Sequence, residues 1–120
     1  MAEVKLFILL TRKDGLTVEQ FRHHYETVHA PMAVRLFKMV KDYRRNFIDR
    51  DNIEVKPGAS KPDFDGITEL HFASEADYEA FLKHRADPVI DAEVSADEDR
   101  LFNRTFNRRL VVTEKVSKLG

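Results

Sequence analysis

The chain reads as an α+β protein, a ferredoxin-like split βαβ subunit with a four-stranded antiparallel sheet. Three observations point there. The segment "VKLFILL" near the start is almost unbroken in apolar residues, as a sheet strand covered on both faces would be. In the middle, "DFDGITELHF" alternates two kinds of side chain with a period of two. Two helix starts, "LTVEQF" and "SEADYEAF", follow strand-like segments and carry N-cap residues. The order is strand, helix, strand, strand, helix, strand within 120 residues, room for one domain spanning 1–120.

The first strand closes on the turn signal "KDG". Thr17 then caps a helix, and Gln20 completes a capping box. Phe21, Tyr25 and Val28 form its inward stripe at helical spacing. Pro31 disfavours the α conformation at Ala30, so the helix is expected to end or kink there. It also suits the first turn of a second helical stretch with Met32, Leu36, Met39 and Val40 on its apolar face. "DYRRNFI" is the second strand, and "DRDNIEVKPGASKPD" a long loop. In the third strand Phe64, Gly66, Thr68, Leu70 and Phe72 share one face, and Asp65, Ile67, Glu69 and His71 the other. Ser74 caps the next helix, with Tyr78, Phe81 and Leu82 inward. "ADPVIDAEVSADEDRLF" is acidic and expected to be helical in pieces, and "TFNRRLVVTEKV" closes the sheet.

Helices on one side leave the other sheet face with Asp65, Glu69 and His71 beside Ile67. A homodimer that presses two such faces together would bury them in a mixed, enclosed cavity. Twenty basic and twenty-one acidic residues nearly cancel, which argues against a general polyanion binder such as a nucleic-acid protein. The absence of cysteine excludes disulfides, thiolate catalysis and cysteine-bound metals. The longest apolar run is far short of the roughly 20 residues of a membrane span and no signal-peptide pattern follows it, so a soluble cytoplasmic protein is expected.

Three of five histidines fall in "HHYETVHAPMA". A zinc site would use histidines four apart on a helix. His24 and His29 are five apart and His23 and His29 six, spacings that carry residues to different helix faces. No metal is expected, and His23 and His24 read as helix surface.

Two segments carry a family resemblance. "TRKDGLTVEQFRHHYETVHAPMA" resembles the opening signature of the EthD family, a strand and turn, a helix start, then H-x-x-x-H-A-P-x-A. "FDGITELHF" is similar to that family's aromatic-D-G-x-x-E-x-aromatic-F signature. His71 stands where tryptophan is common, a changed pocket wall or an extra acid/base group. The resemblance implies a dimeric α+β barrel. Relatives are chiefly cofactor-free proton-transfer enzymes on cyclic or aromatic substrates. It marks His29 of "HAP" as the chemical position and Asp65 of "DG" as the second.

On this reading His29 is a general acid or base, against the plainer reading of a cation at a helix C-terminus. Asp65 orients it, carries the complementary proton, or makes a loop-orienting hydrogen bond. Tyr43, Glu69 and His71 line the substrate pocket, although Glu69 is equally suited to pairing with an arginine such as Arg45 across the dimer. Whether Tyr43 and Arg45 or Arg44 and Asn46 face the cavity is open. The expected activity is cofactor-free dehydration, decarboxylation or isomerisation of a polyketide- or lactone-like substrate. The alternatives are a non-catalytic small-molecule carrier of the same fold and, ranked last, a heme- or oxygen-dependent barrel enzyme.

Overall fold

The computed structural model describes residues 2–120. Strand β1 (Val4–Leu10) lies at the centre of an antiparallel sheet with β2 (Asp42–Phe47), β3 (Gly66–Phe72) and β4 (Arg108–Val112). The order β2-β3-β1-β4 is the ferredoxin-like one. Register pairs Leu6 with Leu70 and Val111, and Phe7 with Glu69 and Leu110. Alternation therefore sends Val4, Leu6, Leu10, Thr68, Leu70 and Phe72 toward the helices, where all are buried. Lys5, Phe7, Leu9, Ile67 and Glu69 fall on the opposite face, which no helix of this chain covers and where they are only half-buried. The expectation that β1 is covered on both faces is thus met on one face within the single chain.

The first helical run departs from the expected break at Pro31. Helix α1 (Val18–His24) passes through a π-helical turn, Tyr25–His29, straight into α2 (Ala30–Leu36). The capping box of Thr17 and Gln20 forms as expected. Ala30 keeps α dihedrals and donates its N–H to Tyr25 O, five residues back. The wide turn reconciles the two demands on this segment. A proline ring would crowd the carbonyl four residues earlier in a regular α-helix, and Pro31 has no N–H to give.

A π turn is a one-residue slip in helical phase. The inward stripe that begins with Phe21 and Tyr25 continues through His29, which is buried, and not through Val28, which is 46% exposed. Two further expectations are corrected. Leu82 turns out to solvent, leaving Phe81 as the buried anchor of α3 (Glu75–Arg85). The acidic stretch is one helix, α4 (Pro88–Leu101), in place of several pieces. Asp87 caps it by accepting from Val89 and Ile90 N–H, and Pro88 takes the first turn, where a missing N–H is harmless. Its buried stripe is Val94, Asp97 and Leu101, so the acids sit largely on the solvent side with one exception.

Two apolar clusters fill the space between helices and sheet. One gathers Leu6, Phe72, Phe37 and Phe81 with Met32 and Val94; the other gathers Leu10, Phe21, Tyr25, Leu101 and Phe102. No helix among the described residues is long and apolar enough to cross a membrane.

Candidate functional site

A cavity of about 350 Å³ lies on the helix side of the sheet, bordered by both clusters. That is enough for a small organic molecule. Its wall is apolar along Ile8, Leu70, Phe37, Phe81 and Val94, and polar where His29, Tyr25, Tyr43 and Thr68 meet. Lys38, Lys41 and Arg85 also border it.

His29 is brought there by the π turn and held by three contacts. Its ring packs edge-on to Tyr25 and Phe102, with centroids 5.2 and 5.4 Å away. Its Nδ1 lies 2.9 Å from Asp97 Oδ2. A carboxylate only accepts, so Nδ1 carries a hydrogen, and in the neutral ring Nε2 keeps its lone pair. No group of the protein bonds Nε2 among the described residues. Asp97, buried to 3% exposure, also accepts from His24 Nε2 at 2.7 Å. A buried carboxylate left unpaired would be costly, and two imidazole donors remove that cost. Among the described residues no three His, Asp or Glu side chains are disposed to hold a metal ion.

Beside this pair runs a line of hydroxyls. Tyr43 O–H donates to Tyr25 Oη at 3.3 Å, and Tyr25 Oη is hydrogen-bonded to Thr68 Oγ1. Burial pushes both phenols above their usual ionisation range, with the Thr68 hydrogen bond opposing this only in part for Tyr25. Both therefore stay protonated and able to donate. Arg45 stacks on the Tyr43 ring, 4.7 Å from its centroid, and grips Glu26 with two hydrogen bonds of 2.7 and 2.8 Å. The hydrogen bond from Arg45 holds the Glu26 carboxyl below the usual range.

The residues singled out in the sequence thus part company. His29 and Tyr43 border one cavity. Glu69 and His71 share the opposite sheet face, His71 Nε2 lying 3.0 Å from Glu69 Oε1. Burial raises the Glu69 carboxyl, but hydrogen bonds from His71 and Asn46 outweigh it and hold the group below its usual range. Within the chain Arg45 lies on the helix side, held by Glu26, and Glu69 on the other face. Asp65 does not meet His29. It accepts from the backbone N–H and Nε of Arg12 at 2.9 and 3.1 Å, and Arg12 also bonds Leu16 O. Asp65 therefore ties down the loop leading into α1, the loop-orienting role among its expected readings.

Asp97 and His24 were the residues sequence reasoning missed. Asp97 was legible only in part, as one of two acids, with Glu98, at helical spacing from both Val94 and Leu101 in α4. His24 was not, because its approach to His29 depends on the π turn. Thr68 gave no signal beyond its parity.

The fold is that of a ferredoxin-like α+β protein with a cavity covered by its helices. The sequence narrows this further: residues 13–105 match the EthD domain, and the chain belongs to that family. Solved structures agree on the fold. An EthD family protein of Bacillus halodurans is 17% identical, with a TM-score of 0.63 over 95% of this chain and 100% of that one. A DABB family protein with a ferredoxin-like fold from Mesorhizobium loti is 12% identical, with a TM-score of 0.56 over 97% and 100%. A dimeric ferredoxin-like protein of unknown function from Thermobifida fusca is 15% identical, with a TM-score of 0.54 over 93% and 91%. No curated protein matches the sequence.

Proposed function

We propose that this protein is a small enzyme that moves a proton on a cyclic or aromatic substrate, in a dehydration, decarboxylation or isomerisation, with His29 as its acid/base group. The observation that carries the reading is His29 on the wall of an apolar cavity, its Nδ1 bound to buried Asp97 and its Nε2 free. Asp97 takes the orienting role that the sequence suggested for Asp65. It fixes which nitrogen is basic and faces the positive charge that forms when Nε2 takes a proton. Protonated Tyr43, by turning its one O–H from Tyr25 to the substrate, supplies a hydrogen bond to an oxygen that gains charge as the proton leaves. The chain itself supplies these groups, so the reading needs no cofactor.

The cavity borders suit an acid. Lys41 is matched by Glu3 and Arg85 by Asp91 and Glu98, whereas Lys38 has no acidic partner among the described residues. Lys38 lies past the C-terminal end of α2 and His29 at its start, with the helix between them about 10 Å long at 1.5 Å per residue. A flat substrate with a carboxylate near Lys38 and its reacting carbon near His29 spans that length.

Glu69, His71 and Ile67 belong, in this proposal, to a homodimer formed by the uncovered sheet faces; the Thermobifida protein is itself described as dimeric. The protein would then be a soluble, cytoplasmic dimer.

Exchange of substrate C–H for deuterium tests the chemistry before the full reaction is known. In deuterated water, a panel of aromatic and lactone acids is followed by NMR with wild type and His29→Ala. At least one bound acid is expected to exchange, and the variant to bind it while exchanging about 10²–10⁴-fold more slowly. Binding without exchange in the wild type would overturn the enzyme reading and leave the carrier domain, which the apolar wall would also serve. A Soret absorbance in the purified protein would instead point to heme.

A further inference from the structure

We propose that His24, outside the cavity wall, is a positioning residue for His29, acting through Asp97. The inference rests on His29 being the acid/base group. Asp97 divides its two oxygens between the two imidazoles: Oδ2 meets His29 Nδ1 at 2.9 Å and Oδ1 meets His24 Nε2 at 2.7 Å. The side chain of His29 is 10% exposed, that of Asp97 4% and that of His24 28%, so the line runs from the cavity wall outward to solvent. The nearest alternative partner of Oδ1 is Arg100, at 3.9 Å and 68% exposed, too far for a hydrogen bond and largely in solvent.

Two features show that this is built and not incidental. In an α-helix residues five apart diverge by about 140° at 3.6 residues per turn, so His24 and His29 could not share one carboxylate. The π turn between them changes the phase and brings both onto it. Second, Asp97 is the acid that α4 turns inward, in a helix whose other acids are half-exposed or exposed. A carboxylate bound by one imidazole alone can rotate about its terminal bond. Bound at both oxygens it is fixed, and the hydrogen stays on His29 Nδ1. His24 thus keeps the lone pair on the nitrogen the cavity uses, without touching substrate.

Nitrogen-15 NMR of the histidine rings reads the tautomer directly, in wild type, His24→Asn, His24→Gln and Asp97→Asn. A glutamine amide reaches as far as Nε2 of histidine and can donate to Oδ1; an asparagine amide falls short, while both are polar and tolerated on a helix surface. Wild-type His29 is expected as a single Nδ1-protonated form. H24N should mix the tautomers, drawing the two nitrogen shifts toward each other; H24Q should restore the single form, and D97N should abolish it. An unchanged His29 tautomer in H24N, with D97N still abolishing it, would overturn the role of His24 and leave the Asp97–His29 pair standing. A wild-type His29 protonated at Nε2, or untouched by D97N, would overturn the pair itself and the His24 role with it.

Discussion

Tyr25 and Tyr43 show how burial sets the chemistry of single side chains in this site. Each phenol lies against apolar neighbours and within a hydrogen-bonded line, and burial disfavours the charged phenolate. The unfolded chain ionises its tyrosines near pH 10, whereas the folded one keeps these two protonated. Above that pH the unfolded state therefore binds fewer protons, and stability falls as pH rises past about 10 while these groups leave it unaffected below. Urea midpoints at pH 8 and pH 10.5, followed together with tyrosinate absorbance, check this. Two of the three tyrosines should ionise only as the protein unfolds. Their early ionisation in the folded protein would remove the argument that they serve as hydrogen-bond donors in the cavity.

The π turn decides which face of the first helical run meets the sheet. With ordinary α phase from Phe21, Val28 would be the inward residue, and a lysine there would be buried at a cost of several kcal/mol. With the observed phase Val28 faces solvent. Val28→Lys is expected to change stability by no more than about 0.5 kcal/mol, as surface substitutions do. Chemical denaturation measures it, and a large loss would show that the turn has the other phase. The same slip explains why the histidine spacing misled. Five residues are the wrong interval for an α-helix, and His24 and His29 share Asp97 because this turn is not one.

On the proposed reading the uncovered sheet face governs assembly. It carries Phe7, Leu9, Ile67 and Leu110 among charged neighbours, with Leu110 48% exposed in the single chain. If two such faces pack together about a two-fold axis, each substitution acts twice. Burying a fully exposed leucine contributes about 1.5–3 kcal/mol and Leu110 has about half of that left to gain, so Leu110→Asp removes roughly 1.5–3 kcal/mol from a dimer and weakens it by about 10–10²-fold. The monomer's own core does not use this side chain, and the fold should survive. Light scattering after size exclusion is expected to give a dimer for wild type and a monomer for the variant. A wild-type monomer would show that this face meets something other than a second copy.

The element order, helix N-caps and strand parities were legible in the residues because they follow from local periodicity and hydrogen-bonding chemistry. "HAP" and "FDGITELHF" likewise placed the chain in its family, and the third strand's parity correctly grouped Glu69 with His71. The site was legible only in part. Asp65 and His29 belong to one family pattern, yet Asp65 is spent on Arg12, while the carboxylate that meets His29 comes from α4, 68 residues along the chain. Which acid reaches which imidazole depends on how helices pack across the sheet and on the phase of a single wide turn. Periodicity assigns a residue to a face; only tertiary packing decides which faces meet.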